Sequence, residues 1–554
     1  MTADATMPKT AAPSSRGDRE EKTVVDPSLF VLPVRRMGVS GGTAPFFALE
    51  LRDPPDGKAA DHYIGKDLSH AFDEFDFYEQ VLRIRAETKA GEEDASPDLV
   101  ALFDYAFEYA GVLTAQEATE QTVEGDSPEL DLLVMGNLIS GKRKLRMLDL
   151  KIGHVTAQSG WQGKKRLNAM RQNIMDSATN SHTVGFRLEG FDGASGVIES
   201  RMKITKGLRD SITKGAFGRS ELSKKRMWRK NMQVMVARSI FSHFADVHLD
   251  TYPEEDEDGG AGDNGKRYAS VELSEIFLHE TVHKLIGLAV ACHSVKVPQK
   301  WIGSSVALGY DAGTLPIRSP DSEVTLRSSV LCKIFDWGRS ELNTVKRYED
   351  MDENMKLDRQ KFWKYYTDGI NNLTLCVTHT YRNHFGNTHS WEKVIFVVKD
   401  FDNISTDDLI GKVSVKVAPT AMTSVTLLSR KIKKKRGTLL YSIEWQDAPD
   451  GSRLKGWWRV HVKSAKGLAI KDKYTRSSDP YCQVYAFSTD SEFCYHESTR
   501  AMEQCLNPTW DETFYLPVAA DELLMHALDV PGADIIVTPE FLEKTKTRRE
   551  VMTE

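Results

Sequence analysis

MLDLKIG, residues 147–153, is the most informative stretch of this sequence. Its apolar residues predict a buried strand, and side chains two positions apart on a strand face the same way. Asp149 and Lys151 should therefore share one face, and Gly153 lets the backbone turn directly after them. A carboxylate beside an ammonium group can orient an attacking hydroxyl and neutralise a phosphate, although the same pairing also occurs as a plain surface ion pair.

The chain around this strand is long enough for several domains. It has 554 residues, a hydrophobic fraction of 40% and a formal net charge of −7, values that are ordinary for globular proteins. No apolar run approaches the ~20 residues that cross a bilayer, and the first residues lack the apolar block of a secretory signal. We therefore expect a cytoplasmic protein, and the negative charge argues against nucleic acid as a partner.

The residue pattern divides the chain into two main regions. Residues 28–375 mix strand-like runs with helical stretches, which predicts an α+β domain. In residues 376–530, short β runs separated by turn signals predict an all-β sandwich of seven to eight strands. Residues 1–27 are polar and predicted to be disordered, and residues 531–554 are predicted to form a tail.

Five motifs of the first region resemble, in the same order, those of the inositol polyphosphate kinase family. They are the Asp-x-Lys-x-Gly string at Asp149, HTVGFRLEGFDG from His182, WIGSSVALGYDAG from Trp301, KIFDWGRS from Lys333 and DGINNLTL from Asp368. The IGSS string and the spacing are most similar to the inositol trisphosphate 3-kinases. The resemblance implies a two-lobed kinase fold that transfers the γ-phosphoryl group of ATP to a hydroxyl of an inositol polyphosphate.

The resemblance also assigns nucleotide and metal roles. Asp336, in an Asp-Trp-Gly string, would bind Mg²⁺, a hard cation that needs oxygen donors; an ordinary turn aspartate is the alternative. Lys66 would hold the ATP phosphates and pair with Glu74. Met135 and Asn137 match the hinge that faces adenine and ribose, although the residue between them is a glycine where the family has an acidic residue.

Catalysis and substrate binding would depend on one carboxylate and several cations. Asp149 and Lys151 would be the catalytic pair, with Lys151 also contacting a substrate phosphate. Four more cations lie where the family inserts its substrate-binding helices: Lys164, Lys165, Arg171 and Lys203. Converging positive groups hold a small polyanion, whereas a solvated basic helix face is the alternative for such runs.

Five aspartates of the β region occur in two strings that resemble calcium-binding loops of C2 domains. KDFDNISTDDLIG from Lys399 resembles the third loop, and KGLAIKDKYTRSSDPYCQVY from Lys466 resembles the first. The aspartates are Asp400, Asp402, Asp408, Asp472 and Asp479. Clustered carboxylates repel one another unless a cation such as Ca²⁺ holds them, but acidic turns without metal are also compatible with a sandwich.

These two loop strings come in the opposite order from an ordinary C2 domain. Either the chain has two half domains, or one sandwich has its halves in permuted order. A half sandwich would expose apolar faces and sheet edges, so we expect a single domain. RKIKKKR, residues 430–436, predicts attraction to anionic membrane lipids, with a nuclear import signal or a solvated turn as alternatives.

Together these patterns predict an inositol polyphosphate kinase that uses ATP and Mg²⁺ and is recruited to membranes by Ca²⁺. The competing hypothesis is a scaffold that binds lipids and inositol phosphates and keeps a kinase fold without activity. The presence of Asp149, Lys151 and Asp336 together favours the enzyme. A protein kinase is disfavoured because the sequence has no His-Arg-Asp catalytic loop.

Overall fold

The computed structural model of the chain describes fifteen stretches of residues. These are 22–32, 34–37, 45–68, 71–92, 95–114, 131–178, 181–192, 240–241, 244, 268–313, 318–401, 408–429, 435–471, 476–490 and 493–546. The chain divides into two compact units, each described separately below. Unit 1 comprises residues 1–83 and 108–140, and unit 2 comprises residues 84–107 and 141–554.

Unit 1 contains a five-stranded antiparallel sheet. Its strands are β1 (Arg35–Met37), β2 (Phe46–Leu49), β3 (Tyr63–Asp67), β4 (Tyr109–Leu113) and β5 (Leu132–Gly136), in the spatial order β1-β2-β3-β5-β4. Helix α1 (Phe72–Ala90) follows β3, and the boundary between the units falls within it. Val24 forms a bridge with Val112 on β4. Residues 22–27, which were predicted to be disordered, therefore belong to the fold of this unit.

A second antiparallel sheet lies in unit 2. Its strands are β6 (Leu145–Ile152), β7 (Phe186–Asp192), β9 (Ser305–Asp311) and β10 (Leu331–Phe335), in the spatial order β10-β9-β6-β7. Strands β8 (Lys300–Trp301) and β11 (Ser340–Glu341) form a separate two-stranded sheet. In the sequence, β8 precedes β9 and β11 follows β10. The MLDLKIG string is thus β6, a central strand, as its apolar alternation predicts.

Seven described helices lie before, between and after the strands of this sheet in the sequence. They are α2 (Pro97–Phe103), α3 (Arg166–Ala178), α4 (Ser181–Val184), α5 (Ser270–Ser294), α6 (Pro320–Ser329), α7 (Val345–Glu349) and α8 (Glu353–Phe385). Helix α5 is buried along most of its length and packs against α8. Helix α8 begins after Asp352, whose side chain accepts a hydrogen bond from the Met355 N–H at 2.8 Å. The predicted boundary at residue 376 falls inside this helix.

The rest of unit 2 is mainly an eight-stranded antiparallel β domain. Its strands are β12 (Trp391–Asp400), β13 (Asp408–Lys416), β14 (Thr420–Leu428), β15 (Lys435–Asp447), β16 (Leu454–Lys466), β17 (Pro480–Ser488), β18 (Cys494–Ser498) and β19 (Thr509–Ala519). Their spatial order is β18-β17-β12-β13-β14-β15-β16-β19. Strands β13 and β14 share one register pair, Lys412 with Leu428. The eight strands thus form one hydrogen-bonded sheet that encloses a single apolar core, with its sparsest pairing between β13 and β14.

Both halves of the β sequence build this single sandwich. Strand β12, from the first half, pairs along its length with β17, from the second half. Core residues from both halves, such as Phe396, Val460 and Trp510, belong to the same apolar cluster. The predicted α+β region followed by an all-β sandwich with permuted halves is confirmed. Most side chains of strand β14 are exposed, and its sequence shows no apolar alternation.

Buried polar contacts connect the β domain to the helices of unit 2. The Tyr381 hydroxyl on α8 donates a hydrogen bond to Glu275 Oε1 on α5 at 2.7 Å. Arg453, in the turn before β16, places Nη1 3.4 Å from the same oxygen. Burial raises the pKa of Glu275, and the positive charge of Arg453 opposes the rise.

The segment that was predicted to be a tail also contains ordered structure. It contains the short helix α10 (Pro539–Thr545), while another short helix, α9 (Leu523–Leu528), lies between the last strand and this segment. His379 on α8 donates a hydrogen bond from Nδ1 to the Thr545 carbonyl at 2.8 Å. Residues as far as 546 therefore pack on α8. None of the helices described here has the length and hydropathy that a bilayer crossing requires.

Candidate active site and calcium loops

Strand β6 brings Asp149 and Lys151 together with Asp336. Lys151 Nζ lies 2.9 Å from Asp336 Oδ2, although the two residues are 185 positions apart in the sequence. In the sheet, Asp149 is paired with Ala307 and Lys151 with Ser305 on β9. These three residues, Asp149, Lys151 and Asp336, are called the β6 site below.

Glycine is required beside the Lys151 side chain. Gly303, in the IGSS string, has a φ of 82°, in the left-handed region that favours glycine. A Cβ atom there would lie 3.1 Å from the Thr156 carbonyl oxygen and 3.6 Å from Lys151 Cε. A larger residue at position 303 would therefore strain the backbone and crowd the ammonium group.

Burial sets the protonation of the β6 site. It raises the pKa of Asp149 to about 6, against the opposing charge of Lys151. Asp149 Oδ1 is buried and accepts no hydrogen bond from any residue that the structure describes. Burial alone would lower the pKa of Lys151, but the carboxylates of Asp336, Glu189 and Asp149 outweigh it and raise the pKa. The lysine thus remains charged beside a carboxylate that can take up a proton near neutral pH.

Asp336 occupies a strained turn directly after β10. Its φ of 66° lies in the left-handed region, which aspartate tolerates better than most residues, and such strain concentrates at functional sites. The Asp336 side chain is 43% exposed, whereas Asp149 is only partly accessible and its Oδ1 atom is buried. The Asp336 carboxylate therefore offers oxygen donors at an accessible position, as a Mg²⁺ ligand requires.

A short turn, Trp161–Gly163, brings a further cation towards this site. The Trp161 indole donates a hydrogen bond from Nε1 to the Arg339 carbonyl at 3.1 Å, which holds the turn on the segment after Asp336. Burial lowers the pKa of Lys164, and the positive charges of Arg339 and Lys151 lower it further. Lys164 therefore lies within the electrostatic field of the β6 site.

The other predicted substrate cations lie differently. Lys165 and Arg171 are exposed, before and on α3 respectively, and Lys203 lies outside the described residues. Glu189 and Arg339 were not predicted as site residues. Glu189 on β7 could have been found, because it is two residues from Arg187 in the GFRLEG string and the two side chains form an ion pair at 3.0 Å.

The predicted nucleotide-binding residues belong to unit 1. Lys66 on β3 forms an ion pair with the buried carboxylate of Glu74 on α1. The buried Met135 lies on β5 and is paired with Ile64 on β3. The Asn137 amide closes the next turn, donating from Nδ2 to the Asp61 carbonyl at 2.8 Å and accepting from the Ile139 N–H at 3.1 Å. A role for Asn137 towards ribose stays a prediction.

Three of the five predicted calcium ligands meet at one end of the sandwich. Asp400 and Asp408 are directly opposite each other on β12 and β13. Asp479 precedes β17, and its N–H donates to Asp400 Oδ1, while its own Oδ1 accepts from the Gln504 N–H at 2.7 Å. We call Asp400, Asp408 and Asp479 the loop-end site. The two loop strings, which are far apart in the sequence, are adjacent in the fold.

A lysine that was not predicted as a site residue, Lys471, lies beside the loop-end site. Lys471 Nζ lies 3.9 Å from Asp408 Oδ2. Asp402 and Asp472 lie outside the described residues, as do residues 430–434 of the basic string, so their predicted roles stay predictions. Within the described part of the chain, no group of three or more His, Cys, Asp or Glu side chains has the arrangement of a metal site.

Sequence comparisons identify the β domain. A model of the C2 domain matches residues 383–432 and 456–537. Synaptotagmin-4 of Homo sapiens is 28% identical over 116 residues, which cover 21% of this chain and 25% of that protein. Extended synaptotagmin-1 of Rattus norvegicus is 35% identical over 88 residues, which cover 15% of this chain and 7% of that protein. The chain thus matches a quarter or less of the length of these relatives, and its β domain is a C2 domain.

A comparison with solved structures gives a distant neighbour of the chain. The inositol phosphate multikinase Ipk2 from S. cerevisiae, in complex with ADP and Mn²⁺, matches with a TM-score of 0.29 and 15% sequence identity. The match covers 50% of this chain and 89% of that chain. At this TM-score the likeness adds nothing to the argument from the residues.

Proposed function

We propose that this chain is an ATP-dependent inositol polyphosphate kinase whose C2 domain docks it on anionic membranes in response to Ca²⁺. The observation that carries the proposal is the contact between Lys151 and Asp336, with the half-buried Asp149 on the same strand as Lys151. These residues come from two of the five kinase-like motifs, and their contact supplies a base, a cation and a metal-binding carboxylate together. Phosphoryl transfer needs these three groups in proximity.

Each residue of the β6 site has a distinct task in this proposal. Asp149 accepts the proton of the attacking inositol hydroxyl, because a buried carboxylate with a pKa of about 6 is ionised at neutral pH and basic enough to act. Lys151 neutralises a substrate phosphate. Asp336 would hold Mg²⁺, which when bound neutralises negative charge on the transferred phosphoryl group.

Nucleotide and substrate are held by further cations. In unit 1, Lys66 would contact the ATP phosphates, with the buried Glu74 fixing the position of its ammonium group, as a lysine–glutamate pair does in protein kinases. In unit 2, Lys164 would bind a phosphate of the inositol substrate. Burial, followed by the positive charges of Arg339 and Lys151, lowers the pKa of Lys164, and a bound polyanion would offset those charges. The roles of Lys165, Arg171 and Lys203 rest on the sequence alone.

The C2 domain supplies the membrane part of the proposal. Asp400, Asp408 and Asp479 provide carboxylates at one end of the sandwich, where Ca²⁺ with its oxygen ligands would bind. Bound Ca²⁺ would reverse the local negative charge and allow this end to approach anionic lipids. The protein would then act at the cytoplasmic face of membranes. The second candidate function is the non-catalytic scaffold, which the same two binding sites would serve.

Turnover distinguishes the two functions. The purified full chain is incubated with ATP, Mg²⁺ and a panel of inositol phosphates, and products are separated by ion-exchange chromatography. The kinase predicts a more highly phosphorylated product that disappears in the Asp336→Asn variant. Asp104→Asn is the matched control, since its carboxylate forms an exposed ion pair with Arg85 at 3.2 Å. Binding of inositol phosphates without any product would support the scaffold instead.

A further inference from the structure

Helix α3 has three exposed apolar side chains on one face. Leu167 is 64% exposed, Met170 54% and Ile174 40%. Helical positions i, i+3 and i+7 lie on the same face, so these side chains form a continuous stripe, the α3 stripe. Single exposed apolar residues are normal on protein surfaces, but an aligned set indicates a contact surface.

The opposite face of α3 fixes the orientation of the helix. Ala169 and Asp176 are buried. Asp176 accepts hydrogen bonds at 2.7 Å from both the N–H and the hydroxyl of Thr156, and it forms a buried ion pair with Arg187 on β7. Rotating the helix to hide the α3 stripe would break this buried ion pair, which is costly. The stripe therefore faces away from the interior of unit 2.

Positive charge flanks the α3 stripe on both sides. At about 100° per residue, Arg166 and Arg171 each lie roughly 70° from the middle of the stripe, in opposite directions. Both side chains are exposed. The only carboxylate in α3 is that of Asp176, which is buried on the other face. The exposed face of the helix is thus apolar in the middle, basic at its edges and without acidic groups.

The surface of an anionic bilayer has the complementary chemistry. Apolar side chains of an amphipathic helix enter the boundary between headgroups and acyl chains, while arginines beside them contact lipid phosphates. The C2 domain in the same chain is an independent reason to expect a lipid partner. Stable attachment to membranes usually takes two signals. We propose that the α3 stripe docks on an anionic lipid bilayer, as a second membrane contact that does not need Ca²⁺.

This contact would orient the kinase region as well as recruit it. Helix α3 begins two residues after Lys164, which lies in the field of Lys151 and Asp336. Docking through α3 therefore brings the β6 site close to the lipid surface. The loop-end site lies on the C2 domain and the α3 stripe on a separate helix, so the chain would have two separate points of attachment to the membrane.

Vesicle binding tests the proposal with the full chain. The probes are phosphatidylcholine vesicles with and without phosphatidylserine, sedimented in the presence of a calcium chelator. The test variant is Leu167→Ser/Met170→Ser/Ile174→Ser. The control variant is Val324→Ser/Leu357→Ser/Ile535→Ser, which removes three comparably exposed apolar side chains that do not form a stripe. We expect the wild type and the control to bind the anionic vesicles, and the test variant to bind about tenfold less.

Three further readouts make the result decisive. Equal binding by the test variant and the control would overturn the proposal. A melting temperature lower in the test variant than in the control would also overturn it, because protein rather than lipid would then cover the α3 stripe. Turnover of soluble inositol phosphate is measured in parallel and should be unchanged by the test variant. Absence of turnover in the wild type would refute the proposed kinase but not the α3 contact.

Discussion

Asp336 in the β6 site and Asp400 in the loop-end site both lie where a strand ends, but their negative charges are balanced differently. Asp336 faces the ammonium group of Lys151 at 2.9 Å. Asp400 accepts a hydrogen bond from the backbone N–H of Asp479, and Asp479 accepts one from the N–H of Gln504. In the first site the Asp336 carboxylate is balanced by a side chain, whereas in the second Asp400 and Asp479 accept backbone hydrogen bonds and Lys471 lies 3.9 Å from Asp408.

The difference determines how each site should respond to substitution. A side-chain charge can be removed by one mutation, and the buried groups that remain then lose their compensation. Backbone donors stay in place when a side chain changes, so the loop-end site should tolerate substitution with little loss of stability. A cation added there would supplement hydrogen bonds that already exist. We expect the largest effects at the β6 site and the smallest at the loop-end site.

Loss of Asp149 should have the largest effect on activity. Asp149→Asn keeps the shape of the side chain but removes the proposed base, so kcat should fall about 10³-fold, which corresponds to about 4 kcal/mol. The measurement is steady-state turnover of an inositol phosphate that the wild type accepts. Asp104→Asn is again the control. Activity near that of the wild type would remove Asp149 from the chemistry.

The same variant should also be more stable. The pKa of Asp149 is about 6 in the folded chain, above its ordinary value of 3.8, so ionisation disfavours the folded state. Stability from this group is therefore lost as the pH rises between these two values. At neutral pH, Asp149→Asn should raise the free energy of unfolding by up to about 3 kcal/mol. Denaturant titration measures the gain, and a loss of stability would contradict the burial argument.

The contact between Arg453 of the C2 domain and Glu275 of helix α5 tests the same principle away from the β6 site. There, too, the charge of a side chain compensates a buried carboxylate. Arg453→Ala removes the cation that lies 3.4 Å from the buried Glu275 carboxylate, which should lower the free energy of unfolding by roughly 3 kcal/mol. Adding Glu275→Gln should restore part of the loss. Arg459→Ala is the control, because its ion pair with Glu444 is exposed and should contribute little. Equal effects of the two arginine substitutions would refute the buried pair.

Removing Lys151 should change both rate and pH dependence. In the wild type, kcat/KM should fall below a pH of about 6, as Asp149 becomes protonated. Lys151 opposes the rise in the pKa of Asp149, so Lys151→Met should move this acid limb to higher pH. It should also lower kcat/KM by roughly 10-fold to 100-fold at neutral pH, since a phosphate loses its cation. An acid limb at an unchanged pH would separate Lys151 from Asp149. Lys364→Met, which breaks an exposed ion pair with Asp368, is the control.

The sequence predicts the strands and loops that carry both sites better than it predicts the contacts between their side chains. The alternation around Asp149 and Lys151 predicted their shared strand, because that pattern is local. Their meeting with Asp336 depends on the sheet that joins β6, β9 and β10, and only the resemblance between motifs indicated it. Strand β14 has no comparable pattern, because most of its side chains are exposed. Helix α8 continues past residue 376, where its apolar face packs on α5. The end of this helix leads directly into the C2 domain.

Side chains that serve the fold were also hard to predict. The Asn137 amide matched a motif, but in the structure it closes a turn. Lys471 is one of several lysines in its string, and only the pairing of β12 with β13 brings Asp408 to it. Such contacts depend on register between distant segments, which a single sequence does not specify.

Calcium binding at the loop-end site should give the smallest effect. Because Asp400 and Asp479 already accept backbone hydrogen bonds, the site is formed without a cation, and Ca²⁺ should stabilise the full chain only by mass action. At a free Ca²⁺ concentration about ten times Kd, the gain is about 1.4 kcal/mol, seen as a small rise in melting temperature. Asp479→Asn should abolish this rise, whereas Asp521→Asn, an exposed aspartate after β19, should keep it. Lys471→Met should strengthen Ca²⁺ binding, because it removes a cation 3.9 Å from Asp408. A melting temperature that Ca²⁺ raises equally in the wild type and in Asp479→Asn would show that the ion binds elsewhere.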